Sequence, residues 1–175
     1  MPDYNDMQAG NVDTATPEQI RELLRYDPET GEFVWIKTCG AAKAGRIAGN
    51  LNKSLGYRQI RIKTKLYFAH RLAWIYMTGS WPPSHVDHID CDGSNNKWPN
   101  LRLASHHQNL QNRGKTRANT SGFKGVWKVG NSWKASIKSK YKAYHLGTFD
   151  SPQKAHAAYC AAAHKLHGEF ANGGL

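Results

Sequence analysis

The chain has 175 residues, carries 24 Lys and Arg against 13 Asp and Glu, and holds a formal net charge of +11 at pH 7. That length suits one ordinary domain or two small ones, and the charge favours a polyanionic partner through counterion release. No long apolar run or basic amphipathic helix points to a membrane, and the first residues lack the basic-then-apolar pattern of a secretory signal.

Residues 1–15 are polar, acidic and without periodicity, and are expected to form a disordered tail. At Thr16 the pattern becomes regular. Thr16 caps, Pro17 takes the first helical position, and Ile20, Leu23 and Leu24 make an apolar stripe, which predicts a short helix to about Arg25. Residues 26–31, YDPETG, read as a turn and 32–36 as a strand. Gly45, Gly49 and Gly56 punctuate a loop ahead of 57–62, an alternating half-buried strand with 65–68 as its hairpin partner. Residues 69–77, AHRLAWIYM, predict an apolar helix bearing Leu72, Trp74, Ile75 and Tyr76. His70 and Arg71 on it could reach phosphate, although a buried or helix-supporting role suits them better.

Residues 85–112, HVDHIDCDGSNNKWPNLRLASHHQNLQN, are the most informative. They space an Asp-His pair, Asp87 and His88, then Asn100 ahead of Leu101 and Arg102, then Asn109 with Asn112 close behind. Cutting a phosphodiester needs an activated water, a cation against the developing charge, and groups that hold both at one phosphorus. His88 can take the water's proton near neutral pH. A hard cation such as Mg²⁺ prefers carboxylate or amide oxygens and keeps several waters, and Asp87 and Asn109 can supply two protein oxygens. If 86–89 is extended, Asp87 and His88 point to opposite faces, so the pair needs a twisted or bulged ribbon, for which the turn-rich 92–96 provides. Pro99 blocks helix continuation, and 103–111 predicts a short helix with Ser105 as N-cap.

This constellation resembles the HNH family of endonucleases in its H-N-N form, common among phage and intron homing enzymes. The runs YDPETGEFVW and HRLAW also look like the leader of this phage nuclease group. The resemblance implies a hairpin and helix closing over one cation, the ββα-metal arrangement, with Mg²⁺ or Mn²⁺ as cofactor. It makes His88 the general base, Asp87 and Asn109 the metal ligands, and Asn100 the residue that fixes the loop under the histidine. His85, His106 and His107 have no matching role. Some nucleases of this superfamily hold a structural zinc with Cys pairs; here Cys39, Cys91 and Cys160 are isolated and odd in number, so neither structural zinc nor disulfides are expected.

From Leu101 to Phe149 the chain carries Arg102, Arg113, Lys115, Arg117, Lys124, Lys128, Lys134, Lys138, Lys140 and Lys142 with no acid until Asp150. Residues 113–121 form a polar, basic linker that could track a DNA backbone. Beyond it, 123–129, 133–138 and 144–149 read as three short strands. Ser151 and Pro152 then open a helix to about His167, with Ala155, Ala158, Tyr159, Ala162 and Leu166 on one face. This pattern, with Gly125-Val126, Trp133, Ala135, Ile137 and LGTF at 146–149 before the Ala-Tyr helix, resembles the AP2 DNA-binding domain over 120–172. Alternation turns Trp133, Ala135 and Ile137 inward and leaves Lys134, Ser136 and Lys138 on the other face. The resemblance implies that this outer face meets the major groove, with Lys124, Trp127, Val129, Ser136, Lys138 and His145 at base and phosphate contacts. Trp127 and Val129 stand where arginine is usual, which removes bidentate guanine readers.

The expected protein is α+β: a disordered tail at 1–15, an HNH endonuclease domain at 16–112, the linker at 113–121, and an AP2-like three-stranded antiparallel sheet plus helix at 122–175. Its expected activity is metal-dependent cleavage of double-stranded DNA by a phage homing endonuclease, in the cytoplasm of the infected bacterium, with no obligatory protein partner. The alternatives are a catalytically inactive DNA-binding regulator and a nonspecific phage DNA-processing nuclease.

Overall fold

A computed structural model describes residues 15–116 and 118–174. The tail expectation therefore lies outside the described residues except at Ala15, and Arg117 lies outside them as well. Ala15 is packed into the core at 6% exposure, and its N–H donates to Tyr67 Oη at 3.1 Å.

The fold is mixed α and β, built from small sheets and helices. Two compact units meet between Leu103 and Ala104. In the first, Thr16 caps helix α1, Pro17–Leu23, through a reciprocal capping box with Gln19. The predicted continuation to Arg25 does not form. Leu24 and Tyr26 instead alternate inward as strand β1, Leu24–Tyr26, antiparallel to β2, Phe33–Trp35, with Leu24 opposite Trp35 and Tyr26 opposite Phe33. Burial of both side chains of a two-residue period decides for strand where the sequence offered a helical stripe. A second sheet has the order β3-β4-β5, from Asn50–Asn52, Tyr57–Ile62 and Lys65–Phe68. Helix α2, Ala69–Thr78, follows directly and ends at Gly79, whose φ of +79° suits a residue without Cβ. Ile20, Leu24, Phe33, Ile60, Leu72 and Ile75 form the fully buried heart of this unit.

Strand β6, His85–His88, pairs with β7, Leu101–Ala104, and a single 3₁₀ turn, Trp98–Asn100, precedes β7. Helix α3, His106–Asn112, starts three residues later than the predicted 103, because Leu103 and Ala104 are strand. Ser105 is its N-cap, in a capping box with Gln108. Although the sequence reading placed this helix with the nuclease module, it belongs to the second compact unit. There the Lys124 ammonium donates to Gln111 O at 2.8 Å and to Asn172 O at 3.2 Å.

The rest of the second unit is one antiparallel sheet of order β10-β9-β8, from Lys142–Phe149, Ser132–Ser139 and Val126–Val129, covered by helix α4, Pro152–His167. Ser151 caps α4 by accepting from Lys154 N. Val126, Ala135, Ile137, Ala155, Tyr159 and Ala163 are buried between sheet and helix, so the inward alternation of β9 holds at Ala135 and Ile137.

Candidate active site and nucleic-acid interface

On β6 three consecutive residues, Val86, Asp87 and His88, are buried. The two polar ones meet different partners. Asp87, 5% exposed, takes Arg102 Nε from β7 onto its Oδ2 at 2.9 Å, so Arg102, expected to touch DNA, has its guanidinium turned onto a buried carboxylate. His88, 4% exposed, lies in an aromatic slot, with the Tyr57 ring 5.8 Å away and the His70 ring edge-on at 5.0 Å. Its Nε2 is 3.2 Å from Asn96 Oδ1. Burial pushes the His88 pKa below its ordinary value, against the opposing pull of the Asn96 bond and of Asp90, Asp87 and Asp92. The imidazole is therefore neutral at physiological pH and able to accept a proton.

The loop after β6 is held from within. Asn100 donates through Nδ2 to Asp90 Oδ1 at 2.9 Å and to Asn95 O at 2.8 Å, and its Oδ1 accepts from Asp90 N at 3.1 Å. Asn95 Nδ2 donates to the other Asp90 oxygen at 2.6 Å. Burial raises the Asp90 pKa, and these bonds with that from Asp92 N outweigh it, leaving the carboxyl below its usual range. Asp92 in turn caps its own turn by accepting from Ser94 N and Oγ.

Sequence reasoning passed over three residues here: Asn96, Tyr57 and, as a neighbour of His88, His70. Asn96 was legible only as one of two adjacent turn asparagines, and no local signal brings Tyr57 or His70 to β6.

Of the two residues expected at a cation, Asp87 lies on β6 in the first unit and Asn109 on α3 in the second. Among the described residues no three His, Cys, Asp or Glu side chains gather as metal ligands. Carboxylate and amide oxygens are each hard donors of the kind that a divalent cation keeping its waters accepts.

Strand register brings together several of the residues expected at DNA. Trp127 sits opposite Lys134, Lys134 opposite Thr148, Ser136 opposite His145, and Lys138 opposite Ala143. Cross-strand partners share a face, so Trp127, Lys134, Ser136, Lys138 and His145 lie together on the sheet side away from buried Ala135 and Ile137. Trp127 is 40% exposed there. Arg113 and Lys115 are exposed in the segment before the sheet, the Lys115 ammonium donating to Gly122 O. Lys124 is not on this face, since its ammonium is turned to the two carbonyls already named.

His70 supports a prediction of its own. Burial first, then the nearby His88 and Arg71, hold its pKa well below 6.5. Below pH 6.5 the unfolded chain takes a proton that folded His70 refuses, so stability falls as pH drops from 6.5 toward the folded value and is flat in this group above it. Denaturant midpoints at roughly pH 7.5 and 5 should show that loss, and His70→Asn should flatten it. An unchanged slope in the variant rules His70 out as its source.

The HNH endonuclease family model matches residues 67–111, the stretch from β5 through α3 that contains Asp87, His88, Asn96, Asn100 and Asn109. An uncharacterized HNH endonuclease, L560, of Acanthamoeba polyphaga mimivirus is 34% identical over 105 residues, 58% of this chain and 54% of that protein, so the match spans about half of the relative's length. Protein 3.8 of Escherichia phage T7 is 31% identical over 105 residues, covering 58% of this chain and 86% of that protein. No solved structure matches. With this site inside the matched stretch and a relative covered over most of its length, the chain belongs to the HNH endonuclease family.

Proposed function

We propose that the chain is a divalent-metal-dependent endonuclease of the phage homing type that hydrolyses phosphodiester bonds in duplex DNA, acting in the cytoplasm of the infected bacterium. One observation carries this: the buried imidazole of His88 next in the chain to the buried carboxylate of Asp87, inside the segment that matches the family. Among the described residues no helix is long and apolar enough to cross a membrane.

In this proposal His88 takes a proton from a water, and the resulting hydroxide adds to phosphorus as one ester bond breaks. Asp87 and Asn109 would hold the cation in a ββα-metal arrangement, Asn100 ties down the loop that carries the histidine, and burial keeps the imidazole unprotonated beforehand. Mg²⁺ or Mn²⁺, when bound, supplies Lewis-acid stabilisation of the charge that grows on the phosphate oxygens. The second unit is read as AP2-like, its exposed face of Trp127, Lys134, Ser136, Lys138 and His145 laid on duplex DNA and the basic segment through Arg113, Lys115 and Arg117 on the backbone. Tethering this weak binder to the cutting module raises avidity.

Plasmid cleavage is the test. EDTA should stop it, and added Mg²⁺ or Mn²⁺ should restore it. Asp87→Asn, which keeps the shape beside Arg102, and Asn109→Ala should each raise the metal concentration needed for half-maximal rate by about 10-fold or more. Undiminished cutting in EDTA contradicts a metal-dependent site.

A further inference from the structure

Asn96 is clamped more tightly than a turn residue requires. It is 1% exposed, and among the described residues it stands with Phe33, Ile60 and Leu72 as one of the largest fully buried side chains. Its Nδ2 donates to Ser94 O at 3.1 Å, and its main-chain oxygen accepts Tyr26 Oη at 2.6 Å. Trp98 N donates to Pro28 O at 2.9 Å, so the turn at 26–31 grips the chain on both sides of Lys97. Gly31, at φ +75°, lies against the Asn96 carbonyl group and Lys97 N so closely that a Cβ there would come within 2.4 Å of both. The leader motif YDPETG thus acts as a vice on Asn96.

The clamp settles a question of proton position. A carbonyl oxygen only accepts, so Ser94 O fixes which end of the Asn96 amide is nitrogen; the flipped amide would set oxygen against oxygen in a buried site. The amide oxygen therefore faces His88. That oxygen has no proton to give, so His88 Nε2 must carry the hydrogen in their 3.2 Å bond, and in the neutral ring the lone pair is then on Nδ1. The rings of Tyr57 and His70 confine the imidazole plane, but a plane alone leaves two orientations related by a half turn about χ2. The Asn96 oxygen favours the one that turns Nε2–H toward it.

We propose that Asn96, held by Tyr26 and Gly31, is a positioning residue that fixes the orientation and tautomer of His88, so that Nδ1 is the atom that takes the proton from water. This deepens the nuclease proposal and rests on it for the kinetic consequence, although not for the tautomer. The step moves one proton from water to Nδ1, giving hydroxide and an imidazolium whose Nε2–H still points at Asn96 Oδ1.

The test has two independent arms on the full chain. Ring ¹⁵N NMR of ¹⁵N-histidine-labelled protein is recorded about two pH units above the ordinary imidazole pKa, with the His88 signals identified by their absence in His88→Ala. The wild type should show a protonated, pyrrole-like Nε2 and a pyridine-like Nδ1, and Asn96→Ala should lose that fixed pattern. A wild-type His88 protonated on Nδ1 overturns the proposal whatever the nuclease does, and needs no variant to fold. In the second arm, Asn96→Ala should lower kcat for plasmid cleavage by about 10–100-fold while DNA Kd stays within about twofold, a split between turnover and binding that general loss of structure would not give. Asn96→Ala cutting at the wild-type rate while His88→Ala is inactive overturns the positioning role and leaves the nuclease proposal standing. Full cutting by His88→Ala sinks the nuclease mechanism while the tautomer result stands.

Discussion

His88→Ala should slow DNA cleavage by about 10²–10⁴-fold, the range that a general base contributes, while DNA affinity stays within about twofold. The separation follows from where the histidine is. At 4% exposure, neutral and ringed by Tyr57, His70 and Asn96, it adds nothing to the electrostatic pull on phosphates. In the proposed mechanism it accepts a proton as the attack proceeds, which lowers the barrier and leaves ground-state binding alone. Truncation also strands the Asn96 amide oxygen in a buried site, at about 1–3 kcal/mol, so melting and gel shift must accompany the single-turnover rates. A folded His88→Ala protein that binds and cuts at close to the wild-type rate shows that another group is the base.

What the sequence made legible was largely local. Thr16 and Ser105 announce themselves as caps, to which the structure adds Gln19 and Gln108, and the alternation of Ala135 and Ile137 gives the inner face of β9 directly. The illegible parts were matters of distant company. Arg102 reads as one more cation in a basic run until strand pairing sets it on Asp87, fifteen positions back. Lys124 reads the same way until its ammonium meets Asn172 O, forty-eight positions ahead. Leu24 continues a helical stripe on paper, yet packing beside Tyr26 and against β2 turns it into strand. Asn96 is hidden by its composition: turn chemistry explains an asparagine after Ser94 and Asn95 well enough that nothing asks for a second reason. The candidate site residues can be named because spacing carries them, and their supports were missed because supports are chosen by burial and partner, which spacing does not encode.

Arg102 offers the sharpest discrimination between these two kinds of reading. Arg102→Leu should destabilise the protein by about 3–5 kcal/mol, the cost of breaking a buried ion pair from one side, because it removes the guanidinium that now neutralises a carboxylate only 5% exposed. The double variant Arg102→Leu with Asp87→Asn should recover much of that loss, since the buried charge goes with its partner and the two substitutions couple. Divalent cation should also raise the melting temperature of Arg102→Leu more than that of the wild type, because a cation bound at Asp87 replaces part of the missing positive charge and stabilises the folded state by mass action. A phosphate-contacting arginine behaves otherwise. Its loss leaves the melting temperature almost unmoved and reduces the salt dependence of DNA binding by about one ion. Denaturant melts of the single and double variants, with and without Mg²⁺, together with salt titrations of DNA affinity, decide between the two. A thermally intact Arg102→Leu with a shallower salt slope would return Arg102 to the DNA interface and leave Asp87 to be neutralised by other means.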